Sequence, residues 1–125
     1  MTTTPAQLLT AAADWLDENP DRWGRNDYVD PTTGCRCALG AIALAADPSD
    51  EDGDPFRLAI LREVDPARRI AAQRAVAQLA DHLTDNLGAV QGITSPATVG
   101  EWNDRQSDPQ PVIDAMRAAA QVVAA

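Results

Sequence analysis

A chain of 125 residues, 45% apolar but only 4% aromatic and with a formal net charge of −9, has the length of one domain. The alanine-rich composition points to closely packed helices, because alanine has the highest helix propensity. With 19 acidic residues against 10 basic ones, the chain is poorly suited to direct nucleic-acid binding, which requires cations on the phosphates, and to docking on an anionic membrane.

The first residues lack the basic and apolar regions of a signal peptide, and no apolar run approaches the roughly 18 residues of a membrane span. Cys35 and Cys37 are spaced poorly for a disulfide, and without a secretory signal both are expected as thiols. A cytoplasmic location follows as an expectation. Every basic residue is arginine, a bias that GC-rich codons produce, so a high-GC source is expected.

Thr4-Pro5-Ala6-Gln7 has the form of a capping box with proline at the first helical position. Leu8, Leu9, Ala12, Trp15 and Leu16 then recur at helical spacing, and Asn19-Pro20 stops the run, which predicts a helix over 5–18. The segment 19–36 mixes Trp23, Tyr28 and Val29 with glycine, asparagine and aspartate. Asp30 to Gly34 is turn chemistry, so a small β-hairpin is expected near residues 26–37, lying against helices because a lone hairpin is marginal in water.

From Cys37 to Ala46 the chain is apolar almost all round, the pattern of a central helix. Gly40 weakens such a helix by about 1 kcal/mol, so its presence implies close approach by a neighbouring helix or loop. An acidic loop, 47–54, follows. Asp54-Pro55 predicts a short helix carrying Phe56, Ala59, Ile60 and Val64. Asp65-Pro66 then starts a longer one to about residue 87, with Ile70, Val76, Leu79, Ala80, Leu83 and Leu87 as its apolar stripe and Gly88 as its stop. Ser95-Pro96 opens another through Trp102, and Ser107 with Pro109 opens the last, faced by Val112, Ile113, Met116, Ala119 and Val123. The expectation is a mainly α fold, a compact bundle of five to six helices with one small hairpin, forming a single domain over 1–125.

Three pieces occur in order: Cys37-Ala38-Leu39-Gly40-Ala41, then Trp102-Asn103-Asp104, then a capped amphipathic helix at the C-terminus. The set resembles a family of small uncharacterised proteins of actinobacteria and their phages. The resemblance implies a fold and an actinobacterial or actinophage source. It brings no activity, cofactor or partner, and no catalytic residue is carried over from it.

The residues themselves offer several chemistries. Cys37 at the start of a buried helix is placed where the helix dipole can favour a thiolate. With His82 as base and Asn103 to orient it, the chain order matches that of a papain-like hydrolase or acyl-transfer enzyme. The plainer reading is that Cys37 fills the core, His82 lies at the border of an apolar face, and Asn103 and Asp104 cap or turn the chain. Cys35, Cys37 and His82 are candidate zinc ligands, but the second pair that structural zinc sites carry is missing. The acidic loop fails as a calcium loop: with Gly53 at the sixth position, Pro48 falls at the first and Ala59 at the twelfth, where glutamate is needed. It therefore reads as a solvated loop. Phosphate-binding glycine loops and nucleophile elbows are absent.

No metal or cofactor is therefore expected, and catalysis is the alternative rather than the main reading. Trp23, Arg25 and Tyr28 combine aromatic and arginine side chains in a polar segment, a composition typical of interface anchors. The expected role is protein–protein interaction, with a host protein or a second copy as partner and with 19–36 and 47–54 as contact surfaces. For Trp23 taken alone, closing the hairpin over the helices is the reading favoured over a surface role.

Overall fold

The computed structural model describes residues 3–56 and 66–122. Helix α1 (Pro5–Glu18) begins at the expected capping box: Gln7 N donates to Thr4 Oγ1 at 3.1 Å and Thr4 N donates to Gln7 Oε1 at 2.9 Å. These two bonds satisfy backbone donors that the first turn would otherwise leave orphaned. The helix buries Leu8, Leu9, Ala12, Ala13 and Leu16. Asn19 then caps a short 3₁₀ turn, Pro20–Arg22, whose Arg22 guanidinium stacks 5.0 Å from the centre of the Trp15 ring.

Among the described residues four further helices follow: α2 (Ala38–Ala46), α3 (Pro66–Asn86), α4 (Ser95–Asp104) and α5 (Pro109–Ala120). Together with α1 they make the fold mainly α, a bundle of five helices among the described residues. Helix α2 is buried from Ala38 through Ala43 and again at Ala46, in keeping with its all-round apolar sequence. It packs on α1, α3 and α4, while α5 covers α1 and α3. Leu9, Leu16, Ile42, Leu79, Leu83, Ile113 and Met116 fill the centre. Alanines at 12, 13, 41, 71, 72 and 75 occupy buried helix surfaces and leave little side-chain bulk between neighbouring backbones. Trp15 and Trp102 pack half-buried against this core.

The caps explain the remaining boundaries. Gly88 takes φ +67 and ends α3, with the backbone amides of Leu87 and Ala89 both donating to Leu83 O at 3.1 Å. Thr94, one residue before the expected start, caps α4. Asp108 rather than Ser107 caps α5, because it stands directly before the proline at the first helical position.

Other expectations need correction. Ile70 and Leu87, assigned to the buried stripe of α3, are exposed: Leu87 lies just past the end of the helix, and at the start of α3 the buried face runs through Ala71 and Ala72 instead of Ile70. The hairpin near 26–37 does not form as paired strands, and among the described residues there is no β-strand. The chain does reverse at Asp30, where Gly34 N donates to Asp30 O and Asp30 N to Cys35 O, both at 2.8 Å. Pairing stops at a single antiparallel bridge, Val29 with Arg36. The reason is competition: Arg36 N donates instead to Arg22 O at 2.7 Å, and Arg36 O accepts from Gly24 N at 3.0 Å. The segment around Arg36 is thus shared between two extended stretches rather than laddered to one. The short helix expected after Asp54 and the position Val123 lie outside the described residues.

Candidate functional site

The irregular stretch between α1 and α2 is held down by side chains, and its geometry defines the site. Helix α2 has Cys37 at its N-cap position, and this residue makes no side-chain cap hydrogen bond, since a thiol is a weak acceptor. Asn103 of α4 substitutes for it: Ala38 N donates to Asn103 Oδ1 at 3.1 Å. The same oxygen accepts from Trp23 Nε1 at 2.9 Å, and Asn103 Nδ2 donates to Gly24 O at 3.2 Å and to Asp104 Oδ1 at 3.2 Å. Asn103 is completely buried, and each of its polar atoms is occupied. Asn103, expected as a capping or turn residue, caps a helix start 65 positions away in the chain.

Asp104 continues the pattern by accepting from Asn26 N at 2.8 Å, again through Oδ1. This bond helps hold Asn26 at φ 72, in the left-handed region where asparagine is tolerated better than most residues. The turn throws Tyr28 O against Gly40 so closely that a Cβ at Gly40 would collide with it. The expected reason for a glycine in α2 is therefore correct, with a loop as the close neighbour. Gly53 serves the same loop from the other side. It adopts φ +75, and a Cβ there would come within 2.6 Å of Val29 Cγ2.

A second polar knot joins the site to the acidic loop. Arg36 and Asp50 pair at 2.7 Å with side chains only 8% and 2% exposed. Arg36 also donates to Gly40 O and Asp50 O, and Gly53 N donates to Asp50 Oδ2. The expectation of a solvated loop is thus corrected at Asp50, which is buried because an arginine is buried with it. Sequence reasoning missed this pair. Its only signal is a lone arginine directly before an apolar run.

A cleft of about 370 Å³ opens beside these knots, lined by Asn26, Asp27, Tyr28, Cys37, Leu39, Gly100 and Asp104. That volume is within the usual range of ligand pockets. Tyr28 is 42% exposed and forms an aromatic wall, Leu39 and Cys37 supply apolar floor, and Asp27 and Asp104 supply carboxylates. Asp104 Oδ2 carries no hydrogen bond among the described residues. Burial pushes the Cys37 thiol up, opposed by the backbone amides of Gly40 and Leu39 and assisted by the charge of Asp104. Tyr28 is raised by burial too, then by Asp54 and Cys37.

The structure therefore brings together Tyr28, Cys37 and the Asn103-Asp104 pair, but not the three members of the hydrolase alternative. His82 sits on α3 with Nδ1 3.1 Å from Asn86 Nδ2, and its ring makes no hydrogen bond to Cys37 or Asn103. Asn103 has no polar atom left to orient a base. Of the expected interface residues, Trp23 packs against the core and anchors the segment, whereas Arg25 is exposed and donates to Gln106 O at 3.2 Å. Cys35 and Cys37 are free thiols, with Cys35 Sγ donating to Asp21 O. Among the described residues, no group of three or more histidine, cysteine or acidic side chains is arranged to hold a metal, and no helix is long and apolar enough to cross a membrane.

Fold and site together define a small helical bundle with an acidic, aromatic-walled cleft at its irregular edge. The chain belongs to a family of unknown function, DUF6197, whose family model matches residues 1–122. Comparisons with curated proteins and with solved structures return no match.

Proposed function

We propose that this protein works by binding a partner protein, and that the Tyr28 cleft receives a basic side chain of that partner. The observation that carries this reading is the convergence of an apolar floor, an aromatic wall and two carboxylates, one with an unused oxygen, in one cleft. Lysine and arginine have an apolar stem and a cationic head. The stem fits against Leu39 and Cys37, while the head meets Asp27, Asp104 and the face of Tyr28, a favourable cation–π partner. A net charge of −9 attracts basic partners over distance.

Catalysis by Cys37 is disfavoured on physical grounds, because a buried thiol held protonated is a poor nucleophile. The arginine-only basic complement supports an actinobacterial or actinophage source, and the free thiols support a cytoplasmic location.

Isothermal titration of short arginine- and lysine-containing peptides against the whole chain tests the reading, with citrulline peptides as neutral counterparts. Binding is expected for the basic peptides only, weaker at high salt, and at least tenfold weaker in Asp27→Asn/Tyr28→Ala. Equal binding of the citrulline peptides, or no effect of the double substitution, overturns it.

A further inference from the structure

The opposite end of α4 carries a second surface that the cleft does not use. After Gly88 the chain runs back to α4 along a loop that is tightly pinned. Gly92 N donates to Thr98 Oγ1 at 2.8 Å, Thr98 Oγ1 donates to Thr94 O at 3.1 Å, and a Cβ at Gly92 would come within 3.0 Å of Thr98 N. A loop anchored in this way still turns three aliphatic residues outward: Leu87 at 49%, Val90 at 65% and Ile93 at 101% exposure. One exposed aliphatic needs no explanation, but a cluster on one short loop does.

Ile93 also lines a polar cavity of about 450 Å³, together with Asp81, Thr84, Asp85, Gln91 and Ser95. Asp81 and Asp85 stand one turn apart on α3, and among the described residues neither carboxylate has an ion-pair or hydrogen-bond partner. Asp85 also lies in the last turn of α3, which contains no basic residue and where the helix dipole favours cations and penalises carboxylates; His82 stands between the two acids in the chain. Two unpaired acids, one of them placed against the local dipole, next to exposed aliphatics form a surface that a complementary chain would stabilise.

We propose that this end of the bundle docks a segment of a partner protein that places a basic side chain in the Asp81–Asp85 cavity and aliphatic side chains on Leu87, Val90 and Ile93. Charge complementarity selects this occupant. A second copy carries the same net charge of −9 and brings no excess of cations, and an anionic lipid surface would be repelled. The surface is separate from the Tyr28 cleft, so the protein has two acidic contact sites at the two ends of α4.

The test is ¹H–¹⁵N NMR of the whole chain titrated with the peptide acetyl-Arg-Leu-Ile-Arg-Leu-amide. Two controls are run, one with citrulline for arginine and one with glycine for the aliphatic residues. Shifts are expected at residues 81–98 for the parent peptide, with each control at least tenfold weaker. Asp81→Asn/Asp85→Asn and Ile93→Ser should each weaken the parent at least tenfold, whereas Asp27→Asn/Tyr28→Ala leaves the shifts at 81–98 in place. Both acids and Ile93 are exposed, so these variants retain the fold, which the unchanged remainder of the spectrum verifies. Shifts confined to the Tyr28 cleft, or no shifts at all, overturn the proposal. So does sedimentation showing a dimer that Ile93→Ser dissociates, which assigns the surface to a second copy, or binding to phosphatidylglycerol vesicles, which assigns it to a membrane.

Discussion

The same ion pair, arginine with aspartate, occurs in two regions of this molecule and has a different meaning in each. On the outer face of the bundle, Arg117 of α5 reaches Asp14 and Asp17 of α1 at 2.9 and 2.8 Å, with all three side chains about half exposed. In the irregular corner, Arg36 meets Asp50 at 2.7 Å where water hardly enters. The outer face lies over a core that burial of leucine, isoleucine and alanine already stabilises, and there the pair adds little. The corner has few apolar side chains of its own, so its shape depends on directional bonds whose buried members cannot be removed singly. Surface pairs contribute about 0–1 kcal/mol. Breaking a buried pair costs about 3–5 kcal/mol, because the partner is left charged and dry.

The sharpest way to break the comparison is at Arg36. Arg36→Met leaves Asp50 buried without its cation, and urea unfolding should show a loss of about 3–5 kcal/mol. The double variant Arg36→Met/Asp50→Leu should recover much of that loss, since apolar replacements of a whole buried pair are often neutral. A double variant no more stable than the single one would mean that the bonds to Gly40 O and Gly53 N, rather than the charges, fix the loop.

Asn103→Ala comes next. It removes the acceptor of Ala38 N and Trp23 Nε1 together. An orphaned buried donor costs about 1–3 kcal/mol. Because Trp23 is only half-buried and water can reach it, a total loss of about 2–3 kcal/mol is expected, with a rise in solvent-accessible tryptophan fluorescence. A loss below about 0.5 kcal/mol, within the usual scatter for surface substitutions, would show that the corner rests on packing after all.

A smaller effect is tied to pH. Burial raises the Cys37 thiol in the folded chain, so the unfolded chain ionises first, at the usual thiol pKa of about 8.5. The unfolded state then binds fewer protons, and stability falls as pH rises from there until the folded thiol itself ionises. Below the ordinary thiol pKa the contribution is complete. Wild type should therefore lose stability as the pH rises through about 8.5 and above relative to Cys37→Ala, and native Cys37 should alkylate with iodoacetamide far more slowly than the unfolded thiol. Rapid native labelling near neutral pH would restore the nucleophile reading.

The contrast between the regions also explains what the sequence made legible. Helix α1 was readable to its ends because its cap, proline and stop all lie within a few residues of the helix they shape. The Gly40 approach was readable because a glycine breaks an otherwise apolar helix. Trp23 was readable as a residue that closes the segment but not by its partner, since nothing near it names Asn103, 80 positions away. Arg36 and Asp50 were not readable as partners, for neither residue type nor spacing distinguishes a buried pair from two solvated charges. The cleft is legible only in part: Tyr28, Cys37 and Asp104 each stood out locally, but their meeting depends on the bond that Asp104 makes to Asn26.

Arg117→Ala is the smallest prediction and the one that sharpens the comparison most. Its guanidinium bridges two carboxylates of α1, so the geometry is better than that of most surface pairs. Even so, water competes for all three groups, and a loss of no more than about 1 kcal/mol is expected. That loss should shrink further at 1 M salt, where the screening length is only about 3 Å. The Arg36→Met loss should be nearly unaffected by salt, because ions do not reach a pair that water hardly reaches. Measuring both variants at low and high salt compares the two regions directly. Equal salt sensitivity would mean that the corner opens to solvent in the native state, and the cleft beside it would then be a moving surface rather than a formed one.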